Sequence, residues 1–88
     1  MSELKLIKAT ELDGVTPKAT NGNGVNYDNY AGTVFKPYFP LEIGACAVLV
    51  HDGNNSLRTS FVSNIGRSRN GKELSLVTKN TIYFFEVL

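Results

Sequence analysis

Eighty-eight residues, 42 % of them hydrophobic and 19 % charged, make a single small globular domain over residues 1–88 and exclude a disordered chain or a two-domain enzyme. Nine basic residues against eight acidic ones leave a formal net charge of +1, so no whole-surface field draws the chain to long nucleic acid or to a membrane. One cysteine, Cys46, excludes an intramolecular disulfide scaffold and fits a reducing cytoplasm.

In chain order, Leu4 to Ala9 reads as a first strand, with Leu4 and Leu6 on one face, Lys5 on the other, and Ile7 breaking the alternation. Asp13-Gly14 and Thr16-Pro17 then punctuate the chain, with room for one helical turn near Thr10 to Gly14 or among Pro40 to Gly44. Thr20 to Gly32 is a long loop rich in asparagine and glycine, carrying two Asn-Gly pairs and the tyrosines Tyr27 and Tyr30. Thr33-Val34-Phe35 leads into Lys36-Pro37-Tyr38-Phe39-Pro40, whose prolines donate no ladder hydrogen bond and predict an edge or an extended connector. Ala45 to His51 is a continuous apolar run, the pattern of a strand buried on both faces.

Asp52 to Asn55 reads as a turn. Leu57 to Ile65 alternates, putting Leu57, Thr59, Phe61, Ser63 and Ile65 on one face and Arg58, Ser60, Val62 and Asn64 on the other. Asn70-Gly71 is a hairpin signal between this strand and Leu74 to Thr78. Lys79-Asn80 then turns the chain, Asn80 tolerating a left-handed conformation, into the aromatic strand Thr81 to Val87. Phe61, Phe84 and Phe85 read as core. Helical periodicity is absent, so the fold class is all-β: a small antiparallel barrel or sandwich of five or six short strands with a long Asn/Gly-rich N-terminal loop.

The residue types that carry catalysis are scarce. His51 and Asp52 are neighbours on one strand and point to opposite faces, which is no relay. Cys46 lies in the most apolar run, where a thiol is structural. One cysteine and one histidine make no zinc quartet, and the eight carboxylates are dispersed singly. Gly22-x-Gly24 lacks the third glycine and the helix of a phosphate-binding fingerprint. No enzyme, no metal site and no cofactor is expected. The amino terminus, Met1 to Lys8, has no long apolar core of a signal peptide, and no apolar run approaches the ~20 residues that span a bilayer. A cytoplasmic protein is the expectation, or one of the host cytoplasm if phage-encoded.

Charge is uneven along the chain. Residues 1–44 hold four bases and five acids, whereas residues 45–88 hold five bases and three acids. All three arginines, Arg58, Arg67 and Arg69, fall in a stretch from Leu57 to Lys72 that contains no acid. Arginine grips phosphate or carboxylate with two parallel N–H donors, so this stretch is a candidate anion site. Tyr27, Tyr30 and Tyr38 lie in polar surroundings, where a ring can stack on a base or cap an open barrel end.

Leu57-Arg58-Thr59-Ser60-Phe61-Val62 followed by Val77-Thr78-Lys79-Asn80-Thr81-Ile82-Tyr83 resembles a pattern in small uncharacterised phage and bacterial accessory proteins, a T-S-x-V segment ahead of a T-x-N-[ST]-x-Y hairpin. The resemblance covers about 30 residues, carries no catalytic residues with it, and implies a phage or mobile-element origin. The expected function is a non-enzymatic binding protein, a counter-defence sponge for a small anionic nucleotide-type ligand. Arg58, Arg67 and Arg69 would hold phosphate, Tyr27 or Tyr30 would stack, and Asn23 would donate hydrogen bonds. A homo-oligomer would enlarge so small a pocket. The alternative is a protein-interaction module, a host-enzyme inhibitor or minor virion subunit, using the Tyr38-Phe39 region or a strand edge.

Overall fold

A computed structural model describes residues 3–18, 27, 30–51 and 56–88. Six strands run in chain order: β1 (Leu4–Thr10), β2 (Val34–Pro37), β3 (Cys46–Val50), β4 (Ser56–Arg67), β5 (Glu73–Thr78) and β6 (Ile82–Val87). Each pairs antiparallel with the next, and β6 returns to β1, closing a barrel in the order β1-β2-β3-β4-β5-β6. Closure removes the sheet edges, which an 88-residue domain has little surface to cover otherwise. The expected all-β class is therefore the structure's class, in its barrel form, with no α-helix among the described residues.

Inward-facing residues fill the interior. Leu4, Leu6, Phe35, Leu49, Leu57, Val62, Leu74, Leu76, Tyr83 and Phe85 are buried in one cluster, with Tyr27 and the small Ala9 and Ala47 completing it. Three bulges decide which residues reach it. In β1, Leu6 pairs with Phe85 but Lys8 pairs with Phe84, so Ile7 is the extra residue. Ile7 and Lys8 then both face outward while Ala9 and Thr10 turn in, which explains the broken alternation.

The other two bulges lie in β4. Between its pairings Arg58↔Val48 and Phe61↔Cys46, β4 spends three steps against two on β3. Ser63 is the extra residue opposite β5, between Val62↔Thr78 and Asn64↔Val77. The strand pairs with β3 up to Phe61 and with β5 from Val62 onward, so it forms a corner of the barrel. Strict alternation from Leu57 to Ile65 fails for this reason. Phe61, expected in the core, is 64 % exposed, and Val62, expected outside, is buried.

Three other expectations are corrected. Phe84 is half-buried on the outer face of β6, because Tyr83 and Phe85 take the inward positions. The run around β3 buries alternate residues only, Ala47 and Leu49, since a barrel of this size has one interior. Pro37 meets the edge expectation locally: buried and paired with Leu49 on one side, it is unpaired on the β1 side. Its lack of an N–H costs no ladder bond because β1 pairs with β2 only at Val34 and Phe35. Asn80 has no left-handed backbone, as no described residue other than glycine has a positive φ. The β5–β6 turn is tied by Thr78, whose N–H and Oγ1 both donate to the Thr81 carbonyl at 2.9 and 2.8 Å. The expected turn at Asp52 to Asn55 and most of the Asn/Gly-rich loop, Asn23 included, lie outside the described residues. Among the described residues no helix is long and apolar enough to cross a membrane.

Candidate functional site

Two of the three arginines lie on one strand, at its opposite ends. Arg58 and Arg67 are nine positions apart on β4, roughly 30 Å along an extended chain, so they cannot grip one phosphate. Arg58 borders a hollow of about 460 Å³ with Lys18, Tyr27, Thr81 and Glu11, at the end of the barrel where the β5–β6 turn lies. The Lys18 ammonium is committed there: it donates to the Asn80 carbonyl and to Thr81 Oγ1, both at 2.9 Å. Arg69 is exposed in the β4–β5 turn.

Tyr27 and Tyr30 are withdrawn from stacking by their burial. Tyr27 is 4 % exposed, its ring set edge-on to Tyr83 at 5.5 Å and its hydroxyl hydrogen-bonded to that of Tyr83 at 3.0 Å. Burial first, then the Tyr27 hydroxyl, holds the Tyr83 phenol above its ordinary pKa. Tyr30 is half-buried against Phe35 and His51, at centroid distances of 6.0 and 5.4 Å. His51 thus belongs to an aromatic cluster.

The polar neighbours of Arg67 and Arg69 are also committed, to the turn itself. Ser68 Oγ donates to Asn70 Oδ1 at 2.7 Å and accepts from the Glu73 N–H at 3.0 Å, while Asn70 Oδ1 also accepts from the Lys72 N–H at 3.0 Å. Gly71, at φ +73°, supplies the left-handed step that Asn70-Gly71 announces.

A roomier concavity than the one beside Arg58 lies across the outer face of β4, β5, β6 and β1. Register aligns Gly66, Ser75, Phe84 and Lys8 in one row across these four strands. Gly66 and Ser75 form a low floor: a Cβ at Gly66 would stand 2.5 Å from Ser75 Oγ. Phe84 rises beside it, with the Lys8 ammonium 5.0 Å from the ring centroid. Arg67 and Lys72 border the groove where the β4–β5 turn begins and ends, as do Glu73 and Glu86, which pair directly across β5 and β6. The groove measures about 820 Å³, within the roughly 300–1,000 Å³ range of small-molecule sites.

Of the six candidate ligand residues, only Arg67 lines this groove. Lys8, Gly66, Ser75 and Phe84 were missed because they come from four strands. The available signals were a glycine interrupting a strand pattern and the outward phase of Phe84 between Tyr83 and Phe85. Among the described residues no three histidine, cysteine or carboxylate side chains converge as metal ligands. Comparison with protein families, with curated proteins and with solved structures finds no match to this chain.

Proposed function

We propose that the protein is a non-enzymatic binder of a small nucleotide-type anion, held on the outer groove of β4, β5, β6 and β1. The observation that carries this reading is the row Gly66–Ser75–Phe84, a flat floor beside an aromatic ring, with cationic groups at both sides. Ring-sized ligands need such a floor, because any larger side chain at Gly66 or Ser75 would occupy the space. Phe84 supplies a face for a base once the long Lys8 stem swings aside, and Arg67 and Lys72 supply charge for phosphate.

Glu73 and Glu86 would repel an anion with no other functional groups. A nucleobase removes that objection, since ring N–H and amino donors match carboxylate acceptors. Lys8, Arg67 and Lys72 outnumber the two acids, which leaves the groove net cationic. Binding and storage need no general acid or base. The T-S-x-V and T-x-N-[ST]-x-Y resemblance supports a phage accessory role for such a sponge, sequestering a signal in the host cytoplasm.

Calorimetry against mono- and cyclic nucleotides tests the reading, with inorganic phosphate as a control. Expected is binding by at least one nucleotide and a far weaker response to phosphate. Phe84→Ala should weaken it about 5- to 150-fold, the worth of one stacked base at ~1–3 kcal/mol. Gly66→Val should block the floor, while Arg58→Ala at the far end of β4 leaves affinity unchanged. No heat from any nucleotide, or full affinity in Gly66→Val, overturns the assignment.

A further inference from the structure

The outer face of β2, β3 and β4 carries an apolar patch, and register shows that the patch is continuous. Tyr38 donates its N–H to the Val48 carbonyl at 2.9 Å, which places it beside Val48, and Cys46 pairs with Phe61. Cys46 and Val48 are half-buried outward residues of β3, two apart on the same side. Phe39 packs edge-on to Tyr38 at 4.7 Å. Ile43 precedes Gly44, whose N–H donates to the Val62 carbonyl at 2.7 Å, next to Phe61.

Tyr38, Phe39, Ile43 and Phe61 are 68, 59, 64 and 64 % exposed. At roughly 200 Å² per large side chain they present on the order of 500 Å² of apolar surface, already near the upper end for the largest patch on a monomer. With the exposed Pro40 and the half-buried Cys46 and Val48, the face approaches the ~800 Å² that each partner buries in a stable interface. Phe61 reaches this face only because the β4 bulge turns it away from the core.

Charge orders the face along β3. One end carries Lys36, beside Val50, while Arg58 shares the row of Val48 and Tyr38 and borders the aromatic patch itself. The row of Cys46 and Phe61 is uncharged, and the β2–β3 loop at the other end carries the exposed Glu42. A two-fold axis through the row of Cys46 and Phe61 sets the Glu42 end of one face toward the Arg58 and Lys36 side of its copy. The patch is therefore self-complementary in charge as well as in apolar character, as an isologous interface requires.

We propose that the outer face of β2, β3 and β4 binds a second copy of this chain, making a two-fold dimer around Tyr38, Cys46 and Phe61. The dimer leaves the groove across β4, β5, β6 and β1 open, so it stands independently of ligand binding there.

Sedimentation equilibrium across a dilution series reads the association directly. Expected is a mass about twice the 9.6 kDa of the chain at high concentration, falling toward the monomer on dilution. The double variant Tyr38→Glu with Phe61→Glu should stay monomeric, with its melting transition checked because both side chains are exposed. Glu42→Lys should weaken the dimer by placing like charges together. Adding Lys36→Glu and Arg58→Glu to Glu42→Lys should restore it, which no loss of folding can mimic. A wild-type chain that is monomeric at every concentration overturns the proposal and leaves the face to a different partner. A dimer persisting in the Tyr38→Glu, Phe61→Glu variant, or an absent charge-swap rescue, overturns it too.

Discussion

At the bulge in β4 the Ala47 N–H has no carbonyl opposite it, and the Thr59 hydroxyl takes that place. Ala47 N–H donates to Thr59 Oγ1 at 3.0 Å, and Oγ1 in turn donates to the Ser60 carbonyl at 2.7 Å. Both Ala47 and Thr59 are buried, so the bond between them cannot be exchanged for one to water. Thr59→Val keeps the shape and removes the acceptor, stranding a buried backbone donor at a cost of about 1–3 kcal/mol. A fall in melting temperature of about 4–8 °C per kcal/mol is expected by calorimetry, while Thr59→Ser, which keeps the hydroxyl, should fall less. A Thr59→Val variant as stable as the wild type would show that the bulge is held by packing alone. Because this bulge also sets Phe61 outward, Thr59→Val should loosen the dimer face along with the fold.

Elements differ in how far their residues announced them. The β4–β5 turn was legible because Asn70-Gly71 is a local signal, needing only its own side chains and a left-handed glycine. Gly71 has nothing within 4 Å of where its Cβ would lie, so Gly71→Ala isolates the backbone term. It should destabilise the protein by about 1 kcal/mol through forcing a side chain into φ near +73°, with Gly71→Asn costing less. Equal stability of all three in thermal melts would contradict the assignment of that turn. The bulge at Ile7 showed as a broken alternation, but the two in β4 were not legible, since an extra residue is defined only against a partner strand. That is why Phe61 read as core and Val62 as surface. The groove was hidden for the same reason, assembled by register from Lys8, Gly66, Ser75 and Phe84. The arginine stretch was plain in the sequence, but β4 runs extended through it and sends Arg58 and Arg67 to opposite ends.

On the scale of the whole molecule, the Tyr27–Tyr83 pair joins residues 56 positions apart and ties the segment between β1 and β2 to the last strand. Both rings are buried, and burial is the main cause of the raised Tyr83 pKa, followed by the Tyr27 hydroxyl. A phenol whose folded pKa lies above the ordinary 10.0 keeps its proton more tightly when folded than when unfolded. Its contribution to stability is therefore complete below pH 10.0 and is lost as pH rises toward the folded value, because the unfolded chain ionises first. The slope of that loss approaches about 1.4 kcal/mol per pH unit for one proton. Tyr83→Phe provides the reference for this window, since it removes the one phenol in question. At neutral pH the variant should be less stable by about 1–3 kcal/mol, the Tyr27 hydroxyl having lost its partner. As pH climbs past 10.0 the gap between wild type and variant should close, since the substituted phenylalanine has no proton to lose. A gap that stays constant across that window would mean that Tyr83 titrates alike in folded and unfolded chains, and that the pair does not close this end of the barrel against water.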